Sequence, residues 1–325
     1  MRSSLFFLAL VIALWPIAGH ATSCTSQAEL GSLDRDALSA AATRVTTAVL
    51  AQDFNSLQAN LLPQEASQWD GIRAAVEQAV PLVKDGKFQW RDVYLLDASD
   101  QTATQDTQFF CSNSSGSLTV TISMNALPPG RYAVILADAT GSPLAGQMGV
   151  VLAWDGAATQ WKLAGLTVRP GVFGGHDGVW YWLRARELTK TDPWSAWFSY
   201  DAARYLLLPV DFISSPNLQK LRQEQSDISP QPLSQLPLSL PDGDRTWKID
   251  GVGLDPSLHE ADLGVAYDST GVTDPAALRT EATAVMSTFL KAHPDIRANF
   301  HGLWAYAEKD GKRTPVMELP MKQIP

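Results

Sequence analysis

Apolar positions in residues 32–83 recur at the spacing of α-helices. The first helix is predicted over residues 32–51, where Ser32 can serve as the N-cap. Its apolar side chains fall on one face: Leu38, Ala41, Val45, Ala48 and Val49. Asp53 can cap a short second helix, and the same periodicity predicts a third helix over residues 69–83. Three helices therefore open the first predicted domain.

From residue 88 onwards the pattern changes to the alternation of apolar and polar residues that is typical of β-strands. Alternating apolar positions occur at residues 88–95, 118–124 and 132–136. Residues 149–168 form a closing hairpin with a turn at Asp155-Gly156. Three helices followed by about six antiparallel strands are the parts of an α+β domain in which a curved sheet wraps the helices.

Two parts of this segment carry a family resemblance. The opening amphipathic helix leads into Ala51-Gln52-Asp53-Phe54, and the closing hairpin reads GVVLAWDGAATQWKLAGLTV over residues 149–168. Through these features residues 33–168 resemble the nuclear transport factor 2-like superfamily, also called cystatin-like or SnoaL-like. The resemblance implies a cone of helices and curved antiparallel sheet whose cavity binds small apolar molecules, sometimes with an acidic or histidine base for proton transfer. The early strand that usually interrupts the helices in this superfamily is not visible in the pattern.

Residues 169–227 form a predicted helical segment after the sheet. Thr191-Asp192-Pro193 places a cap and an N1 proline before an aromatic helix, and Ser215-Pro216 repeats the device. Residues 178–208 resemble a single tetratricopeptide-like helical hairpin. Because one such repeat cannot bury its own apolar face, we expect the hairpin to pack on a neighbouring domain. The alternative is that its aromatic residues form a platform for a sugar or a peptide.

The last part of the chain divides into a linker and a small domain. Residues 228–243 are rich in proline and serine and lack a clear period, which predicts a semi-extended linker. Residues 244–325 alternate as strands on either side of one helix, which Asp274-Pro275 opens. The pattern predicts a small ββαββ domain of α+β class, so that residues 22–168 and 244–325 are the two folded domains.

Residues 1–21 have the three regions of a signal peptide. Arg2 supplies the positive charge, Leu5 to Leu14 is an apolar stretch, and Gly19 and Ala21 suit a cut after residue 21. The protein is therefore expected to be exported, to the periplasm or the extracellular space. The alternatives are an uncleaved N-terminal anchor and a lipidated N-terminus at Cys24.

Composition limits the partners of this chain. The 325 residues contain 25 Lys and Arg against 34 Asp and Glu, a net charge of −9, and 45% of residues are hydrophobic. An acidic chain without basic runs argues against nucleic acid and anionic membranes as partners. Since no second apolar segment approaches spanning length, the chain is not expected to be an integral membrane protein after signal cleavage.

The chain contains two cysteines, Cys24 and Cys111. In an oxidising compartment they are expected to form one disulfide, and the alternative is two unpaired thiols. Without histidines nearby, they do not suggest a zinc site.

No nucleophile elbow, phosphate loop, dinucleotide fingerprint or zinc-protease motif occurs in the sequence. We therefore predict no catalytic residue, no cofactor and no metal site. The adjacent pair His176 and Asp177 lies in a glycine-rich loop that can place a base over a cavity mouth, with a solvated turn as the alternative. His259-Glu260 lacks the second histidine of a zinc site, and neither His293 nor His301 carries a functional signal.

Three functions remain compatible with these patterns. The leading hypothesis is an exported binding or interaction protein whose first domain holds a small apolar molecule. The second is an enzyme that uses the same cavity for proton transfer or hydrolysis, which requires a buried carboxylate or histidine facing it. The third is a scaffold that docks a protein partner on the aromatic hairpin.

Overall fold

The computed structural model describes residues 22–113, 115–142, 144–230, 233, 235–269, 272 and 274–325. The predicted signal peptide, residues 1–21, lies outside the described residues. The fold belongs to the α+β class, as the sequence predicts.

The three predicted opening helices are confirmed. A short strand precedes them, and a 3-10 helix, Pro63–Gln68, lies before the third: β1 Ser23–Ser26, α1 Ser32–Ala51, α2 Phe54–Asn60 and α3 Trp69–Val83. Gln52 adopts a left-handed conformation with φ 51° and ends α1. The carboxylate of Asp53 then accepts a hydrogen bond from the backbone N–H of Ser56 and begins α2.

Six longer strands follow α3: β2 Lys87–Asp97, β3 Gln105–Ser112, β4 Thr119–Leu127, β5 Arg131–Thr140, β6 Gln147–Asp155 and β7 Gln160–Arg169. They do not form the single curved sheet that the sequence analysis expects. Strands β1, β2, β5, β6 and β7 form an antiparallel five-stranded sheet in the order β1-β2-β5-β6-β7. Strands β3 and β4 belong to a second sheet, whose third strand is β10, Ile213–Ser214.

The five-stranded sheet is the middle layer of this part of the molecule. Along β5, Ala133 and Ile135 face α1 to α3, whereas Val134 and Leu136 face the three-stranded sheet. Both faces of β5 are therefore buried, and side-chain alternation distributes its apolar residues between two cores. The disulfide of Cys24 and Cys111 connects β1 to β3. We call these three layers, including β10, the first unit.

The helical segment begins with a small hairpin, β8 Val172–Phe173 and β9 His176–Asp177, and continues with α4 Gly178–Leu188, α5 Pro193–Leu207 and α6 Pro216–Asp227. Asp192 caps α5 before Pro193, and Ser215 caps α6 in the same way. Trp194 and Phe198 are buried in a core that they share with the last sheet. The predicted packing of the aromatic hairpin on its neighbour is confirmed for these two residues.

The last sheet is mixed and has the order β11-β12-β13-β14-β15. Its five strands are β11 Leu238–Asp242, β12 Arg245–Asp255, β13 Asp262–Asp268, β14 Gly302–Lys309 and β15 Lys312–Pro320. Two helices, α7 Pro275–Ala292 and α8 Ile296–Asn299, lie between β13 and β14, and a 3-10 helix, Met321–Gln323, follows β15. Strands β13 and β14 pair in parallel across α7, and the other pairs are antiparallel. Together with α4 to α6 this sheet forms the second unit.

The predicted linker, residues 228–243, is wrong in its second half. Leu238 pairs with Ile249 and Leu240 with Trp247, so that β11 is an edge strand of the last sheet. Two alternating leucines between prolines are too short a pattern to indicate a strand. The strand is defined instead by its backbone pairing with β12.

The chain crosses between the units more than once. After α5 it returns to the first unit, where Val210 and Ile213 are buried in the core between the two sheets. Gly149 on β6 makes room for this return, because a Cβ atom there would lie 2.4 Å from the Cγ1 atom of Val210. Arg169 and Asp211 add an ion pair of 2.6 Å at the same place. The sequence analysis predicts that residues 169–227 are a helical segment between two domains. In the structure this stretch also supplies β10 to the first unit, so that prediction is incomplete.

Within the described residues, none of the helices combines the length and hydrophobicity that crossing a membrane requires.

Candidate functional site

A pocket of about 190 Å³ lies between α1 and the five-stranded sheet of the first unit. Its lining comes from the segment after β1, from one face of α1 and from strands β2 and β5: Gln27, Leu30, Arg35, Leu38, Ser39, Ala42, Trp90, Val93 and Ile135.

The spacing of residues on α1 explains one wall. Arg35, Leu38, Ser39 and Ala42 stand at positions i, i+3, i+4 and i+7 and so share one helical face. Leu38 and Ala42 are buried, and Arg35 and Ser39 are exposed. The wall therefore has an apolar floor and a polar mouth.

A β-bulge explains the opposite wall. The pairing of β2 with β5 shifts between Trp90 and Asp92, which leaves Arg91 as the extra residue. Because of this extra residue, Trp90 and Val93 both face the helices although they are three positions apart. Without the bulge, strict alternation would point one of them to the other face of the sheet.

The polar groups of the pocket are few. The guanidinium of Arg35 donates a hydrogen bond of 2.8 Å to the carbonyl oxygen of Leu30, which fixes its position at the mouth. The side-chain oxygen Oε1 of Gln27 is buried and has no hydrogen-bond partner among the described residues. A buried acceptor without a donor is costly, so a ligand that donates to it would be favoured.

The described residues that line the pocket include none of the usual acid–base groups. None of the described residues that line it is an aspartate, a glutamate or a histidine. Arg35 is the one residue with a formal charge among the described lining residues, and its guanidinium offers hydrogen-bond donors only. The arrangement can hold and orient a molecule, but it offers no base of suitable pKa.

The dyad predicted from sequence lies elsewhere and has structural roles. Asp177 caps α4 by accepting a hydrogen bond of 2.8 Å from the backbone N–H of Trp180. The imidazole of His176 stacks on the indole of Trp180, with 3.8 Å between the ring centroids. Both residues are exposed, and neither lines the pocket.

Cys24 and Cys111 are bonded, as one of the two sequence-based alternatives proposes. They lie in the core between the two sheets, on the face opposite to the pocket, and their role is therefore structural.

Three further histidines lie in the second unit. His293 packs between Trp194 and Phe289. Burial lowers the pKa of His293 below its usual value, although the negative charge of Asp192 acts in the opposite direction. Burial likewise lowers the pKa of His259. His301, which carries no signal in the sequence, lies 2.8 Å from Asp262.

Comparison of the chain with protein-family models, with curated proteins and with solved structures found no match. The resemblance to the nuclear transport factor 2-like superfamily therefore stays a prediction from the sequence pattern.

Proposed function

We propose that this chain is an exported binding protein whose first unit holds a small apolar molecule between α1 and the five-stranded sheet. The observation that carries the proposal is the pocket of about 190 Å³ with an apolar floor and a polar mouth. An apolar cavity of about 150 Å³ is large enough to bind benzene, so this pocket suits a single ring or a branched chain of similar size.

The polar groups suggest the head group of such a molecule. A hydroxyl can donate a hydrogen bond to the orphaned oxygen of Gln27 and accept one from the guanidinium of Arg35. The ligand class that fits best is therefore a small apolar alcohol or a phenol.

Export is supported by two independent features. The N-terminal sequence has the regions of a signal peptide. The cysteine pair is bonded, which is common in oxidising compartments and rare in the cytosol.

The two alternative functions have less support. The enzyme hypothesis requires a carboxylate or a histidine in the pocket, and its described lining residues include neither. The scaffold hypothesis requires exposed aromatic residues on the hairpin, but Trp194 and Phe198 are buried. Its remaining support is Val179, Trp180 and Leu183, three exposed apolar residues on α4, of which Trp180 is aromatic and 39% exposed.

The proposal is tested by titrating the protein with p-cresol, cyclohexanol and toluene in a calorimeter. We expect one molecule of p-cresol or cyclohexanol to bind per chain, and toluene to bind more weakly because it lacks the hydroxyl. Ala42→Phe fills the floor and Ser39→Trp blocks the mouth, so each should reduce the affinity at least about tenfold.

Ala40→Phe is the matched control, because residue 40 is exposed on the same helix and does not line the pocket. Ser39→Trp needs no space in the core, so it remains informative if Ala42→Phe is unstable. The proposal is wrong if none of the three probes binds, or if both pocket variants bind as the unmodified protein does.

A further inference from the structure

Three potential metal ligands meet at one end of the last sheet. Asp262 is the first residue of β13, His301 directly precedes β14, and Glu318 lies on β15. The parallel pairing of β13 with β14 begins at Leu263 and Leu303, which brings Asp262 beside His301. The nitrogen and oxygen donor atoms of the three side chains all lie within 4.8 Å of one another.

The cluster contains buried oxygen atoms that lack a partner. The side chain of Asp262 has no exposed surface, and its Oδ1 atom lies 2.8 Å from Nδ1 of His301. Its other oxygen, Oδ2, and the Oε1 atom of Glu318 are buried without a hydrogen-bond partner among the described residues. Leaving such oxygens unpaired is costly, and a bound cation would compensate that cost.

Gly302 keeps the space between the two carboxylates open. A Cβ atom at this position would lie 2.5 Å from Oε1 of Glu318 and 3.0 Å from Oδ1 of Asp262. Both carboxylates therefore approach the same point on the backbone, and any residue other than glycine would push them apart.

The electrostatics of the cluster also favour a cation. The carboxylates of Asp262 and Glu318 both lie close to the position of a Cβ atom on Gly302, so that two negative charges meet in a small space. In the part of the chain that the structure describes, no lysine or arginine forms an ion pair with Asp262 or Glu318.

We infer that Asp262, His301 and Glu318 form a binding site for a divalent transition-metal ion, with Zn²⁺ as the best match. One imidazole nitrogen and two carboxylate oxygens are ligands that Zn²⁺ accepts, at roughly 2.0–2.2 Å from the ion. Ca²⁺ takes six to eight oxygen ligands, which this set does not supply, and Mg²⁺ rarely uses an imidazole.

The site requires small side-chain movements and keeps one side open. Two donors on a tetrahedral Zn²⁺ are separated by roughly 3.3 Å, so the widest pair in the cluster must close by roughly 1.5 Å. His301 can move because 45% of its side chain is exposed, whereas Asp262 is held in the sheet. Three protein ligands leave the fourth position of the ion to water or to a small ligand.

The site goes beyond the proposed function and is independent of it, because none of its ligands lines the pocket beside α1. It also differs from the sequence analysis, which predicts no metal site. Residues 262, 301 and 318 are far apart in the sequence, and only the pairing of three strands brings them together.

The test uses the mature chain, treated with a chelator and then titrated with ZnCl₂, CaCl₂ and MgCl₂ at pH 7.5 in a calorimeter. We expect one Zn²⁺ per chain, a raised melting temperature with Zn²⁺, and at least about tenfold weaker binding of Ca²⁺ and Mg²⁺. His301→Gln and Glu318→Gln should each weaken Zn²⁺ binding at least about tenfold.

His176→Gln is the matched control, because His176 is an exposed histidine outside the cluster. Gly302→Ala keeps all three ligands but separates the carboxylates, so it should also weaken binding. The melting temperature of each variant is first measured without metal. If Glu318→Gln or Gly302→Ala unfolds the protein, His301→Gln remains interpretable because the side chain of His301 is partly exposed. Absence of Zn²⁺ binding, or equal affinities for His301→Gln and the unmodified chain, would overturn the inference, whether or not p-cresol binds.

Discussion

The disulfide between Cys24 and Cys111 links an edge strand of one sheet of the first unit to an edge strand of the other. Cys24 lies on β1, an edge strand of the five-stranded sheet, and Cys111 lies on β3, an edge strand of the three-stranded sheet. Their Cα atoms are 5.3 Å apart although 87 positions separate them in the sequence. The bond therefore closes a long loop that contains all three helices of the first unit.

Reduction of this bond should lower the stability of the protein. For a loop of this length the chain-entropy model gives a stabilisation of about 4–5 kcal/mol. We expect a lower melting temperature in dithiothreitol, and the same shift in the Cys24→Ser, Cys111→Ser double variant without reductant. Thiol titration of the denatured, unreduced chain should find no reactive thiol, and two reactive thiols would contradict the pairing.

Phe198→Ala should destabilise the second unit strongly. Its ring is fully buried and packs edge-on against Phe300, with 6.1 Å between the centroids. Truncating such a side chain typically costs about 3–5 kcal/mol in the free energy of unfolding. Leu183→Ala is the control on α4, where 52% exposure predicts a change below about 1 kcal/mol. Urea unfolding measures both, and similar effects of the two variants would argue against a shared core.

Glu224→Gln should weaken the contacts between α4, α5 and α6. The carboxylate of Glu224 accepts hydrogen bonds from the guanidinium of Arg186, the indole N–H of Trp182 and the hydroxyl of Tyr200. Hydrogen bonds to a charged group contribute about 1.5–3 kcal/mol, of which the amide retains a part, so we expect a loss of about 1–2 kcal/mol near pH 7.

The same variant has a predictable dependence on pH. The hydrogen bond from Arg186 lowers the pKa of Glu224 despite some burial, so its contribution is present above the unfolded pKa and is lost as the pH falls through the folded value. The stability difference from the unmodified chain should therefore shrink in acid. Glu187→Gln, an exposed partner of Arg184, is the control and should change stability little at any pH.

His293 should make the protein less stable in mild acid. Burial lowers its pKa in the folded state, so near pH 6 the unfolded chain binds more protons than the folded one. The contribution of His293 to the free energy of unfolding should then decrease as the pH falls from about 7.5 to 5.5. His293→Phe should therefore lose less stability over this range than the unmodified chain does, while filling the same apolar space beside Trp194. An unaltered slope of the free energy of unfolding against pH in His293→Phe would mean that the pKa of His293 is the same in the folded and the unfolded chain.

The elements that the sequence predicts well are those with local causes. Asp53, Asp192 and Ser215 each cap the helix that their side-chain chemistry indicates, and strands with several alternating apolar residues were found. The strands that the sequence analysis did not locate are β3, which is eight residues long, and β1, β8, β9, β10 and β11, which are two to five residues long. Local propensity carries too little information in such short segments.

The pocket beside α1 and the cluster of Asp262, His301 and Glu318 also differ in how far the sequence could have predicted them. Arg35, Leu38 and Ala42 could be assigned to one helical face from their spacing, but the bulge at Arg91 that adds Trp90 and Val93 depends on pairing with β5. The cluster of Asp262, His301 and Glu318 depends entirely on strand register. Neither a bulge nor a register is visible in a single sequence.

The return of the chain through Val210 and Ile213 has a consequence for the gene as well as for the fold. A cut before α4 leaves the first fragment without β10, the third strand of its three-stranded sheet. A cut after β10 leaves the second fragment without α4 and α5, whose aromatic residues complete its core. No single break among these elements yields two self-sufficient products. We therefore expect recombination at either of these boundaries to separate elements that share a core.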